Sequence, residues 1–295
     1  MSDPLSTADD IAIPFLFENL PVRGALIQLK AAWARMQLGH DYAEPVMQIL
    51  GQAAAATGLI AQSLKFDGTI TLQVSGNGPL SMLVMQSNEE LQMRGMANAP
   101  DVSAGASYAE LVRESRCAIT VDSGANEQPY QGIVEMTGDS LSDSLANYFT
   151  RSAQIESHIV LVANRSLCAG LLLQQMPGEP MPGTDDWLRL GLLADTLRTD
   201  DFVEGVSAEL LGKLFAEDDI RVFEAQPAAF RCRCSRQRAE EVLQLLGEDE
   251  TREACEELGR VDVICEYCGR QESFDSVDIA NLFAPQVHQG SDSIH

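Results

Sequence analysis

Between Val22 and Met36 the apolar residues Val22, Ala25, Leu26, Leu29, Trp33 and Met36 recur at helical spacing, which predicts an amphipathic helix ending near Gly39. A second stretch, residues 44–64, is rich in alanine and apolar on more than one face, the pattern of a buried helix. The period then shortens. Ile70, Leu72 and Val74 alternate with threonine and glutamine as in a half-buried strand, and Gly76-Asn77-Gly78-Pro79 supplies a turn. Strand patterns follow at residues 80–85, 92–97, 118–121, 132–136, 159–163 and 169–173, with helical patterns at 107–113 and 141–154 between them. Short turns join much of this sheet, so the expected fold class is α+β with a mainly antiparallel sheet.

Pro177, Pro180 and Pro182 fall within seven residues and break both helix and strand, so the core domain is expected to span residues 1–178. A helical linker region, 179–226, comes next. Its segment 185–198 places Trp187, Leu190, Leu193, Ala194 and Leu197 on one face, and segment 207–217 does the same with Leu210, Leu211, Leu214 and Phe215. The ordinary reading of such faces is permanent docking on the core; the sharper one is conditional docking, with the faces covered in one state and exposed in another. A small C-terminal domain is expected at 227–287, and the polar tail 288–295 is expected to fray.

Composition narrows the chemistry. Of the 295 residues, 20 are basic and 44 acidic, a formal charge of −24 that repels nucleic acid phosphates and anionic lipid heads and favours solubility. Asp3, Asp9 and Asp10 without a basic cluster do not make a secretory signal, and no apolar run approaches the roughly 20 residues of a membrane span. The expected compartment is the reducing cytoplasm, where the seven cysteines are free, metal-bound or redox-active rather than standing disulfides.

Four of them form a constellation. Cys232-Arg233-Cys234 is a C-x-C pair, and after thirty intervening residues Cys265-Glu266-Tyr267-Cys268 is a C-x-x-C pair followed by Gly269. Zinc favours four tetrahedral thiolates, and a C-x-x-C turn presents two on one side of the ion, with glycine easing the turn. One zinc ion per chain on Cys232, Cys234, Cys265 and Cys268 is therefore expected. Four thiolates close the shell and leave no place for a catalytic water, which argues against zinc hydrolase chemistry. The deaminase pattern fails too, because Ile264 precedes Cys265 and no His-x-Glu lies upstream. From Gln226 onward there are seven basic and fourteen acidic side chains, a poor phosphate-binding surface.

Arg231, Arg233, Arg236 and Arg238 crowd the C-x-C pair and favour thiolate, the form that oxidants attack. Oxidising two ligands would release the metal and with it roughly 10–16 kcal/mol of coupled folding energy, by analogy with zinc-finger peptides. A domain this small has little stability in reserve. Cys117 and Cys168 lie in apolar strand patterns and read as core residues. Cys255 lies in an acidic helical segment and is not counted as a ligand, and the histidines at 40, 158, 288 and 295 form no metal pair.

With these motifs the chain resembles the redox-regulated chaperone family HslO, the heat-shock chaperonin of thirty-three kilodaltons, over nearly its whole length. The Cys-Arg-Cys-Ser-Arg and Cys-Glu-Tyr-Cys-Gly contexts carry the likeness. So do Leu64-Lys65-Phe66-Asp67-Gly68, Gly76-Asn77-Gly78-Pro79, Gln92-Met93-Arg94-Gly95, Tyr130-Gln131-Gly132 and Tyr148-Phe149-Thr150-Arg151-Ser152. Leu171 departs from the family pattern, where a second glycine is usual after Gly170. The resemblance implies an ATP-independent holdase, not an enzyme, that is inactive when reduced and zinc-bound. Oxidation would form disulfides Cys232–Cys234 and Cys265–Cys268, release zinc, unfold the C-terminal domain and linker, and expose a surface for unfolding client proteins. It also implies a homodimer when activated. Two other readings compete: a constitutive zinc-ribbon scaffold that joins a protein assembly, and a thiol–disulfide enzyme, disfavoured because C-x-x-C sits in a knuckle context. No Gly-x-x-x-x-Gly-Lys-Ser/Thr run is present to support an ATP-driven cycle.

Overall fold

The computed structural model describes residues 10–124, 128–178, 181–183, 185–203 and 205–284. Asp3 and Asp9, part of the proline-rich break (Glu179 and Pro180) and the tail from His288 lie outside the described residues. In chain order the elements begin with β1 (Ile11–Phe17), β2 (Val22–Leu29), α1 (Ala31–Gln37), α2 (Glu44–Ser63), β3 (Thr69–Gly76), β4 (Met82–Asn88) and β5 (Gln92–Asn98). They continue with α3 (Tyr108–Leu111), β6 (Ser115–Asp122), β7 (Tyr130–Val134), α4 (Leu141–Arg151), β8 (Ser157–Ala163) and β9 (Cys168–Gln175). Then come α5 (Asp186–Ala194), a 3-10 turn (Thr199–Phe202), α6 (Ala208–Leu214), β10 (Ile220–Val222), β11 (Gln226–Pro227) and β12 (Ala229–Phe230). The last are α7 (Arg236–Leu246), α8 (Glu248–Leu258), β13 (Val261–Ile264), β14 (Gln271–Phe274) and α9 (Ser276–Leu282). The chain divides into two compact units after Cys232.

The first unit is an α+β domain built on two sheets. One has the order β10-β1-β2-β9-β8, with β11 also pairing β1, and every pairing is antiparallel. The other runs β12-β5-β4-β3-β6-β7 and is antiparallel except where β12 joins β5. Helix α2 packs against β2, β8 and β9 of the first sheet and β3, β4 and β5 of the second. A helix covered on two sides must be apolar on two sides, which accounts for its run of buried alanines. Contact is close at Gly58, where a Cβ would collide with the Ile27 side chain.

The opposite face of the first sheet carries a separate apolar cluster. Phe15, Phe17, Val22, Leu26, Leu171 and Leu173 meet Leu190, Ala194, Phe202, Leu211 and Phe215 there. Both expected helical faces at 185–217 are thus docked on the sheet. Polar ties accompany them: Arg189 donates to both carboxylate oxygens of Asp218 at 2.7 and 2.8 Å, His158 Nε2 lies 2.8 Å from Asp195, and Lys30 Nζ donates to the Val203 carbonyl at 2.9 Å. Leu171, the departure from the family pattern, is fully buried in this cluster.

One expectation is corrected. Residues 22–36 are not a single helix: Val22–Leu29 is strand β2, and helix α1 begins only at Ala31. β2 is an inner strand with apolar residues on both faces, Val22 and Leu26 on one and Ala25, Ile27 and Leu29 on the other. A strand buried on both faces loses its two-residue alternation, and its surviving apolar positions then mimic a helical period.

The second unit is small. Helices α7, α8 and α9 and the antiparallel hairpin β13–β14 surround a core of Ala239, Leu243, Cys255, Phe274 and Ile279. Ser235 caps α7 by accepting from the Arg238 amide, and Asp275 caps α9. The hydroxyl of buried Thr251 donates to the Gly247 carbonyl at 2.7 Å and holds the turn between α7 and α8.

Candidate metal centre

The C-x-C pair follows β12 directly. β12 is held by Ala229 N donating to Leu91 O at 3.0 Å, and the next amide, Arg231 N, donates to Met93 O at 2.8 Å. Cys232 comes one residue later, and Cys234 immediately precedes the Ser235 cap of α7. The C-x-x-C pair occupies the turn of the β13–β14 hairpin. There Cys265 N donates to Arg270 O at 2.9 Å, and Gly269 N and Cys268 N both donate to Cys265 O, at 2.8 and 3.3 Å. Gly269 takes a φ of +67°, a left-handed conformation that glycine adopts without steric cost. The knuckle expected from the sequence is therefore formed by strands, and C-x-x-C does not open a helix.

The four Sγ atoms of Cys232, Cys234, Cys265 and Cys268 all lie within 4.8 Å of one another. Cys234 and Cys268 are 3.4 Å apart, beyond the roughly 2.05 Å of a disulfide. A zinc–sulfur distance of about 2.3 Å sets tetrahedral edges of roughly 3.8 Å, so the spacing suits one such ion. Among the described residues these cysteines form the one group of three or more metal-ligating side chains gathered closely enough to hold a metal. All four are half-buried, neither sealed from solvent nor freely exposed.

The remaining cysteines are placed apart from this group. Cys117 and Cys168 are fully buried, on β6 and β9. Burial pushes the Cys117 thiol up to about 12 and the Cys168 thiol well above its ordinary value, the latter helped by the charge of Asp10. Cys255 is buried on α8 in the second unit's core. His40 stacks on Tyr42 and His158 faces Asp195, while His288 and His295 lie outside the described residues.

Sequence reasoning placed Arg236 in the positive surround of the C-x-C pair and missed what it contacts. Its guanidinium lies 4.4 Å over the Phe274 ring, donates to Ser273 O at 3.2 Å and lies 2.9 Å from Asp278 Oδ1. These partners are 37 to 42 residues away in sequence, and no local pattern connects them.

The family model described as Hsp33 protein matches residues 10–275. A 33 kDa chaperonin of Nitrosococcus oceani is 41% identical over 273 residues, covering 92% of this chain and 94% of its own. A 33 kDa chaperonin of Methylobacillus flagellatus is 37% identical over 284 residues, covering 95% of this chain and 97% of its own. Among solved structures, the crystal structure of the 33 kDa chaperonin of Thermotoga maritima aligns with a TM-score of 0.77, covering 92% of this chain and 97% of that one. At 22% identity that likeness speaks for the fold alone. No described helix is long and apolar enough to cross a membrane. Matched by the family model over residues 10–275, and 41% identical to a 33 kDa chaperonin across 92% of its length, the chain belongs to the Hsp33 protein family.

Proposed function

We propose that this chain is an ATP-independent holdase chaperone of the cytoplasm, not an enzyme, that is inactive when reduced and zinc-bound and is activated by oxidation. The observation that carries the reading is four half-buried thiols within 4.8 Å of one another, three of them in a unit whose fully buried core, among the described residues, numbers only five. A core that small needs a cross-link to stay folded. Zinc, held by Cys232, Cys234, Cys265 and Cys268, would supply that cross-link and keep the four sulfurs deprotonated.

The chemistry belongs to the thiolates. Each adjacent pair, Cys232–Cys234 and Cys265–Cys268, would give up two electrons as its S–S bond forms, and one hydrogen peroxide would take those electrons with two protons from solvent, break its O–O bond and become two waters. Both disulfides lie within a segment, so they replace none of the cross-linking between segments. The second unit then unfolds, and the layer at residues 186–214 lifts off the first sheet. The apolar face around Phe15, Phe17, Leu171 and Leu173 becomes available to unfolding client proteins. Activated chains pair as homodimers, and neither nucleic acid nor membrane is a partner.

The test follows zinc release, helix content by circular dichroism and suppression of client aggregation together during treatment with peroxide and mild heat. One zinc per chain should leave as helix content falls and holdase activity rises. Equal holdase activity in the reduced zinc form would sink the proposal. Zinc that survives peroxide would instead support a constitutive zinc-ribbon scaffold.

A further inference from the structure

The two halves of the cysteine centre come from segments separated by thirty residues, and each half carries its own pair. Metal binding is coupled to folding of so small a unit, so any contact that joins the two segments in the folded state adds to the hold on the metal. Arg236, two residues after Cys234, makes such contacts. One guanidinium nitrogen, Nη1, donates to Ser273 O at 3.2 Å and lies 3.9 Å from Glu272 Oε2. The other, Nη2, lies 2.9 Å from Asp278 Oδ1, and the guanidinium carbon sits 4.4 Å from the centroid of the Phe274 ring.

Glu272, Ser273 and Phe274 belong to β14, the strand that leaves the C-x-x-C turn, and Asp278 lies in the first turn of α9. Within its own helix Arg236 also meets Glu240 at 3.5 Å. The arginine side chain is 42% exposed, so each ion pair taken alone contributes little. Convergence is what distinguishes the group. A planar guanidinium can lie on a ring face while its edge reaches acceptors on two elements, and the point charge of lysine cannot reproduce that arrangement. Phe274 is 1% exposed and central to the unit's core, so Arg236 rests on the most fixed side chain available.

We propose that Arg236 is a positioning residue for the metal centre. It ties the C-x-C segment to the C-x-x-C hairpin in the folded unit, and because folding and metal binding are coupled it adds to how tightly zinc is held. The inference rests on the reading that the four cysteines bind zinc, and the experiment keeps the two apart.

Zinc affinity of the reduced full-length protein is measured by competition with a chromophoric chelator, for the wild type and for Arg236→Ala, Arg236→Lys and Cys265→Ser. Arg236→Ala should weaken zinc by at least about tenfold, the lower end of the range for groups that orient metal ligands. It should still reach one zinc per chain at saturation, and Arg236→Lys should recover only part of the loss. Glu272→Gln and Asp278→Asn keep the arginine and its ring contact and should each weaken zinc, by less than Arg236→Ala does, because each removes only one of several supports. Wild-type circular dichroism of the zinc-saturated variants would assign these losses to positioning. Affinity within twofold of wild type for Arg236→Ala, or full recovery with Arg236→Lys, would overturn the inference. Should Arg236→Ala fail to fold even with zinc, unchanged affinity in both carboxylate variants overturns it. A wild type that binds no more zinc than Cys265→Ser overturns the zinc reading itself.

Discussion

The seven cysteines share one side-chain chemistry and are sorted by surroundings. The tetrad at 232, 234, 265 and 268 is half-buried and mutually close, whereas Cys117 and Cys168 are sealed in the first unit's core. Burial raises both of those thiols, so the native state keeps a proton that the unfolded chain gives up near the ordinary thiol value, about 8.5. The sign follows: their contribution to stability is complete below that pH and is lost as the pH rises toward their native values. Peroxide at neutral pH should therefore oxidise the tetrad and leave Cys117 and Cys168 as thiols, which differential alkylation with peptide mass mapping will read. Oxidation of Cys168 in step with Cys265 would contradict this. The gathering of the tetrad was legible in the sequence because each pair is local and its spacing is one that a four-thiolate metal site favours. Arg236 was not, because its partners are united only by the folded hairpin and α9.

At the scale of elements, legibility followed how each strand or helix is covered. β3, with alternating buried positions, and α2, apolar all round, announced themselves. β1 did not. Its seven residues are nearly all apolar, and Pro14 interrupts them at the point where pairing passes from β11 to β10. A proline is tolerated there because no ladder bond is required of its nitrogen. The three short strands β10, β11 and β12 are two or three residues long, too short for any periodic signal. The docked layer was foreseen from its apolar faces, yet its polar clasp was not. Arg189 and Asp218 form a two-point ion pair, with the Asp218 side chain only 10% exposed. Asp218→Asn should weaken docking of α5 and α6 by about 1.5–3 kcal/mol, the range for a hydrogen bond to a charged group. Amide exchange should quicken in residues 186–214 and stay unchanged in α2. Equal acceleration in both regions would show global destabilisation instead of local release.

For the whole molecule, the charge of −24 takes a role once the proposed function is considered. A holdase that uncovers an apolar face invites its own copies to associate, and like charge opposes this until salt screens it. Oxidised protein should form larger species as ionic strength rises from about 0.05 to 0.5 M, over which the Debye length shrinks to a few ångström. Light scattering will show it, and reduced protein should be insensitive over the same range. Salt independence of the oxidised form would remove charge from the account.

The first sheet is shared between two apolar clusters, and β9 shows how: Leu172 faces α2, while its neighbours Leu171 and Leu173 face α5 and α6. One side of the strand can be stripped while the other stays packed and the ladder to β2 and β8 stays hydrogen-bonded. On the proposed function, the protein would keep a template of its resting state throughout a stress episode. Recovery would be a matter of two short helices finding a surface that kept its shape, not of a chain rediscovering its topology. Each stress cycle would then end where it began, with the same molecule ready for the next.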